Sequence, residues 1–221
     1  MRKFNLKRLY FHFSELEGFL HKVGIIHLDV KPSNCLVDAD RNILKICDFG
    51  MSLVPGEAAF LQGHGGPYEG PFCTGAYRAP ELWVQKTPRS ALAAPADIFS
   101  FGAVVFEVHA KENLLLHFAP EDGGLKAITE WSKLQTLPLS QVKKHTFWRS
   151  VSDDTVQSII WQCMHKDPRQ RQAGLDGATK FFSCWNVFQH LIYGDIPFNL
   201  WECAVALGAV SLRGREITVW L

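Results

Sequence analysis

Between residues 27 and 34 the chain reads His27-Leu28-Asp29-Val30-Lys31-Pro32-Ser33-Asn34. An acid, an ammonium group and a carboxamide fall within one short loop that a proline stiffens. Those three groups can converge on a phosphorylated ligand. The Asp29 carboxylate can orient a hydroxyl and accept its proton. The Lys31 ammonium can neutralise a phosphoryl group in transfer. The Asn34 amide oxygen suits Mg²⁺, a hard cation that takes oxygen ligands. Taken alone, the same stretch can also be read as a solvated turn containing a proline.

Four further clusters follow in order. Asp48-Phe49-Gly50 sets a carboxylate ahead of a flexible glycine, where a metal could meet it; alone, this tripeptide carries little information. Thr74-Gly75-Ala76-Tyr77-Arg78-Ala79-Pro80-Glu81 comes next, then Asp97-Ile98-Phe99-Ser100-Phe101-Gly102. Asp167-Pro168-Arg169-Gln170-Arg171 closes the series. An ionic residue at a buried helix start or exit usually belongs to a structural pair.

These clusters need elements to position them. Leu9, Phe13, Leu16, Leu20 and Val23 recur at helical spacing, which predicts an amphipathic helix over 5–23 that Gly24 ends. Cys35-Leu36-Val37 and Ile43-Leu44-Lys45-Ile46, joined by a polar turn, read as a hairpin. Gly63 to Gly70 is an open loop. Residues 96–109 form a helix apolar nearly all round, which belongs at a domain centre. Val156, Ile159, Ile160, Cys163 and Met164 mark a later helix, with Ser152-Asp153-Asp154 at its start and Pro168 beyond its end.

The chain has 221 residues, 47% of them apolar, with 23 Lys and Arg against 22 Asp and Glu. That balance excludes a strongly basic nucleic-acid-binding protein and an acidic disordered tail. No apolar run approaches the ~18 to 20 residues that span a bilayer, so no membrane role is expected. Six scattered cysteines without a CxxC pair read as reduced thiols of an intracellular protein, cytoplasmic or nuclear.

Taken together, the five clusters resemble the carboxyl-terminal lobe of a eukaryotic protein kinase over about 5–171, matching its catalytic loop, DFG and APE motifs. The resemblance implies a mainly α fold with a small β-hairpin, a protein-kinase-like C-lobe of the α+β family. It implies Asp29 as catalytic base and Lys31 as the lysine facing the γ-phosphate. Asn34 and Asp48 become the Mg²⁺ ligands, with ATP as the nucleotide. His27 is the structural histidine of the loop, and Thr74 bonds the catalytic Asp and Lys. Thr74 to Glu81 form the substrate-docking loop, Glu81 and Arg171 a buried ion pair, and Asp97 the brace of the catalytic loop. Lys31-Pro32-Ser33-Asn34 resembles the Ser/Thr type, so the implied partner is a protein substrate or a docking partner.

Departures set further expectations. Leu28 stands where most kinases carry an Arg before the catalytic Asp, as in Mos-type kinases. Without that cation, charge-mimicking changes at Ser52, Tyr68 or Thr74 are expected not to switch activity on. Cys73 stands where the family usually has Gly. No Gly-rich loop and no Val-Ala-Ile-Lys strand precede the catalytic loop, so the amino-terminal lobe is expected to be missing. Phosphoryl transfer by this chain alone is then expected to be slight. Residues 1–174 make the kinase-like lobe, and 175–221 a closing helix and an unassigned tail. The alternative is a catalytically inactive kinase-like interaction module, a pseudokinase or truncated gene model.

Overall fold

A computed structural model describes residues 6–38, 43–53, 73–83, 94–118, 124–181, 210–213 and 216–219. The Gly63 to Gly70 loop and Tyr68 lie outside the described residues.

Helix α1 (Leu6–Lys22) opens the fold. Phe13 and Leu20 of the expected stripe are buried, with Tyr10 and Phe11 beside them. Val23 lies past the helix end and is 41% exposed, because Gly24 takes a positive φ of 82° and ends the helix there. The buried face also holds an acid: Glu17 is 0% exposed.

Strand β1 (Cys35–Asp38) pairs antiparallel with β2 (Ile43–Ile46). Cys35 faces Ile46, and Val37 faces Leu44. Leu44 points into the core while Leu36 and Val37 remain exposed. This is the expected hairpin, and α1 packs against β2.

The centre is α2 (Pro95–Ala110), in which every residue from Ala96 to Phe106 is buried. Around it lie α3 (Leu114–Phe118), α4 (Leu125–Leu134), α5 (Leu139–Val142) and α6 (Asp154–Cys163). Asp153 caps α6 by accepting the amides of Thr155 and Val156, satisfying donors that the first turn leaves free. Gly102 lets α2 approach α6 closely. A Cβ there would sit 2.7 Å from Met164 Cγ and 2.8 Å from Cys163 Cβ.

Residues 172–181 are helical, and Leu175 and Ala178 join the same core. A second ribbon pairs β3 (Val210–Arg213) with β4 (Glu216–Val219) in a stretch that sequence reading left unassigned. The described architecture is thus mainly helical with a small antiparallel hairpin, the lobe expected from the motifs. Among the described residues, no helix is long and apolar enough to cross a membrane.

Candidate active site

The loop between α1 and β1 is held from behind by α2. Asp97, in the first turn of α2, is 1% exposed. Its Oδ2 accepts the His27 amide at 2.7 Å and its Oδ1 the Leu28 amide at 2.8 Å. Leu28 is 1% exposed and has φ 61°. A branched side chain in that left-handed region carries strain of about 1–2 kcal/mol. Two charge-assisted bonds to one buried carboxylate, together with burial of the leucine, hold the strained turn in place. Leu28 itself brings no charge to this position.

His27 is buried, and its ring connects two segments. Nδ1 accepts the Asp29 amide at 3.2 Å, and Nε2 lies 3.0 Å from the Cys47 carbonyl oxygen. The ring also meets Phe49 edge-on, with centroids 4.9 Å apart. Ser52 Oγ donates to the His27 carbonyl at 3.1 Å.

Four of the expected site residues meet at Asp29. Lys31 Nζ lies 2.7 Å from Asp29 Oδ2. Asn34 Nδ2 donates to the Asp29 carbonyl at 2.9 Å and to Oδ2 at 3.1 Å. Thr74 Oγ1 donates to Asp29 Oδ1 at 3.1 Å and accepts from Lys31 Nζ at 3.2 Å. Burial pushes the Asp29 carboxyl up. The bonds from Lys31, Thr74 and Asn34 and the Lys31 charge outweigh it, holding the group below the usual carboxylate range. Asp29 is therefore an ionised carboxylate at neutral pH, fixed in direction by three partners.

Asp48 lies two residues past the end of β2, and its neighbour Cys47 donates its amide to the Asn34 carbonyl at 2.9 Å. Asp48 is exposed with φ 64°, and its Oδ1 accepts the Gly50 amide at 3.4 Å. Asn34 commits its amide nitrogen to Asp29, which leaves Oδ1 as the atom for a cation. One amide oxygen and one exposed carboxylate are hard oxygen donors, so these two residues fit Mg²⁺ chemically.

The residues expected to form the substrate-docking loop are tied down separately. Arg171 is 0% exposed and forms a two-pronged pair with Glu81 at 2.6 and 2.7 Å. Cys73 is buried with φ 64°, the conformation that favours glycine, and its Sγ lies 3.6 Å from Ser100 Oγ. Arg78 donates from Nε and Nη2 to the Cys73 carbonyl and stacks over Trp83 at 4.4 Å. Tyr77 donates its hydroxyl to Glu107 at 2.5 Å, while Ser100 Oγ donates to the Tyr77 carbonyl.

Sequence reasoning missed Glu17, His21 and Glu107. The signal for the first was present: Glu17 follows Phe13 by four and precedes Leu20 by three, on the face that ought to be apolar.

A profile described as Protein kinase domain matches residues 13–183. The chain belongs to the protein kinase family. It is 30% identical over 159 residues to Serine/threonine-protein kinase pakE of Dictyostelium discoideum, covering 72% of this chain and 15% of that protein. It is 27% identical over 183 residues to Glycogen synthase kinase 1 of Pyricularia oryzae, covering 75% of this chain and 43% of the relative. Protein kinase MCK1 of Saccharomyces cerevisiae is 39% identical over 90 residues, 41% of this chain and 21% of its own length. The chain thus spans less than half the length of these curated relatives.

Proposed function

We propose that this chain carries the phosphoryl-transfer loop and substrate loop of a protein serine/threonine kinase, moving the γ-phosphate of ATP to a protein hydroxyl. The observation that carries this reading is the Asp29 carboxylate, held between Lys31, Asn34 and Thr74. Asp29 takes the proton of the substrate hydroxyl as its oxygen bonds to the γ-phosphorus. The bond from that phosphorus to the β-bridging oxygen breaks, and ADP leaves. Lys31 supplies positive charge beside the transferring group, and Thr74 keeps Asp29 and Lys31 in register. Asn34 and Asp48 would hold Mg²⁺, which would supply charge neutralisation for the phosphates. The roles given to His27, Asp97, Glu81 and Arg171 are structural: the first two fix the loop, the last two the substrate segment. An intracellular location, where ATP and reduced thiols coexist, belongs to the same reading.

The test is transfer of labelled phosphate from Mg-ATP to a pool of Ser, Thr and Tyr peptides, with Asp29→Asn beside the unsubstituted chain. Labelling of Ser and Thr that falls by about 10²-fold or more in Asp29→Asn supports the proposal. Labelling of Tyr alone, or labelling that Asp29→Asn leaves intact, overturns it. Calorimetric titration with Mg-ATP reads nucleotide binding separately.

A second reading, a kinase-like docking module that transfers nothing, is favoured by one feature. Leu36, Val37, Phe49 and Met51 are all more than a third exposed on and beside the hairpin. Such an apolar set suits a covering protein partner. Binding of a protein partner abolished by Leu36→Asp, in a chain inactive towards every peptide, would decide for it.

A further inference from the structure

Helix α1 buries an acid where its stripe calls for an apolar side chain. Glu17 is 0% exposed, and one turn later His21 brings its Nε2 to 3.3 Å from Glu17 Oε2. The same nitrogen lies 3.2 Å from Asp97 Oδ2. Asp97 is the carboxylate that holds the His27 and Leu28 amides. A ring nitrogen carries one N–H and can donate well to only one of two oxygens. Accordingly, neither Glu17 oxygen accepts a well-formed hydrogen bond although both are buried, and His21 Nδ1 is likewise buried without a partner.

We propose that Glu17 and His21 hold exchangeable protons beside Asp97, and that Glu17 is a positioning residue acting through His21 and Asp97 on the backbone of the His27–Asp29 turn. With His21 charged and both carboxylates ionised, the enclosed cluster carries a net negative charge. A proton on Glu17 removes it. Burial of an uncompensated charge is costly, so the cluster favours the protonated form.

The electrostatics agree with this geometry. Burial, with the Asp97 charge adding to it, pushes the Glu17 carboxyl up to about 7 against the opposing influence of the neighbouring His21. Burial pulls His21 down, yet its bond to Asp97 and the adjacent Glu17 and Asp97 carboxylates raise it to about 9. Both folded values lie above the ordinary ones. The folded state therefore holds the extra protons, and the stability they give is full in acid. It is lost as pH rises through about 7 and then about 9. Other titratable groups face the cluster from each neighbouring element. Cys35 on β1 feels the Glu17 charge, and Cys73 feels Asp97. Lys45 on β2 is exposed, and the His27 ring turns to the Cys47 carbonyl.

A divalent cation is the competing occupant, since the three ligand atoms lie within 4.8 Å of one another. Two features favour protons. Each Asp97 oxygen already accepts an amide, and the two N···O separations are near those of N–H···O bonds. The inference rests on the kinase reading only for the importance of the loop, and its test reads protonation alone. Either can therefore fail without the other.

The test is a nitrogen-15 NMR titration of the imidazoles from pH 5 to 10, with His21 assigned by comparison with His21→Gln. Thermal unfolding midpoints are measured over the same range. The unsubstituted chain is expected to titrate His21 near 9, and Glu17→Gln to lower that midpoint by about one unit or more. Glu17→Gln should also flatten the fall in unfolding temperature between pH 5 and 7. An ordinary His21 midpoint in the unsubstituted chain overturns the proposal, and that measurement needs no variant to fold. So does a midpoint that Glu17→Gln leaves unmoved. Zn²⁺ that raises the unfolding temperature of the unsubstituted chain but not of Glu17→Gln would identify a cation site instead.

Discussion

Arg171 and Glu81, 90 residues apart, meet in a bidentate pair, and Arg171 has every one of its donors engaged. Nε donates to the His165 carbonyl at 2.6 Å. Nη1 donates to Glu81 and the Pro95 carbonyl, Nη2 to Glu81 and the Lys166 carbonyl. Five N–H groups thus meet five acceptors, the whole capacity of a guanidinium. Arg171→Ala is expected to cost about 3–5 kcal/mol, because it breaks a buried ion pair and removes the donors of three carbonyls. Arg171→Lys should recover little of this, since an ammonium has three donors and no planar fork. Urea unfolding of the two variants checks it. A lysine variant within about 1 kcal/mol of the parent would show that charge alone suffices.

Gly102 offers a test of the α2–α6 contact. An alanine Cβ would lie 2.7 Å from Met164 Cγ and 2.8 Å from Cys163 Cβ, inside van der Waals separation. The gain in helix propensity, about 1 kcal/mol, is smaller than the cost of overpacking a dense core, about 1–3 kcal/mol. Gly102→Ala should therefore lower the midpoint of denaturant unfolding. A variant more stable than the parent would mean that the two helices can separate freely.

Acid should loosen the His27–Asn34 loop through Asp29. Its folded pKa lies below the ordinary carboxylate value, chiefly through Lys31, Thr74 and Asn34 working against burial. The stability it contributes is present above the ordinary value of 3.8 and is lost as pH falls through the lower folded one. Asp29→Asn should give a shallower loss of stability below pH of about 4. Thermal midpoints across the acid range read this directly, and parallel acid limbs for parent and variant would contradict it.

Thiol labelling should follow burial. Burial pushes Cys35 and Cys73 up to about 12, and Cys163 higher still. The thiolate is the nucleophile, so native iodoacetamide labelling at these three positions should be slow at pH 8 and rapid after unfolding. Site-resolved mass spectrometry checks the outcome. Fast native labelling at Cys73 would show that the Thr74 segment opens readily.

Much of the lobe was legible because its signals are local. The periodicity of Val156, Ile159, Ile160 and Cys163 led to α6, and Asp153 marked its cap. The all-round apolar character of 96–109 led to the central helix. Asp29, Lys31, Asn34 and Thr74 were legible as a set through the order of the motifs. Glu17 was hidden because its meaning depends on Asp97, 80 positions away, which periodicity cannot reveal. The β3–β4 ribbon escaped although its strands are no shorter than those of the β1–β2 hairpin, because no recognised motif borders it to place its short apolar runs.

The hold of Asp97 on His27 and Leu28 also orders events in time. The acceptor lies 70 residues downstream of the first amide it secures. A ribosome adding about 5–20 residues per second delivers Asp97 roughly 4 to 14 s after His27. For that interval the strained Leu28 turn has no brace. The His27–Asp29 turn is thus made well before the helix that braces it, and must wait for Asp97 before it can take its folded shape.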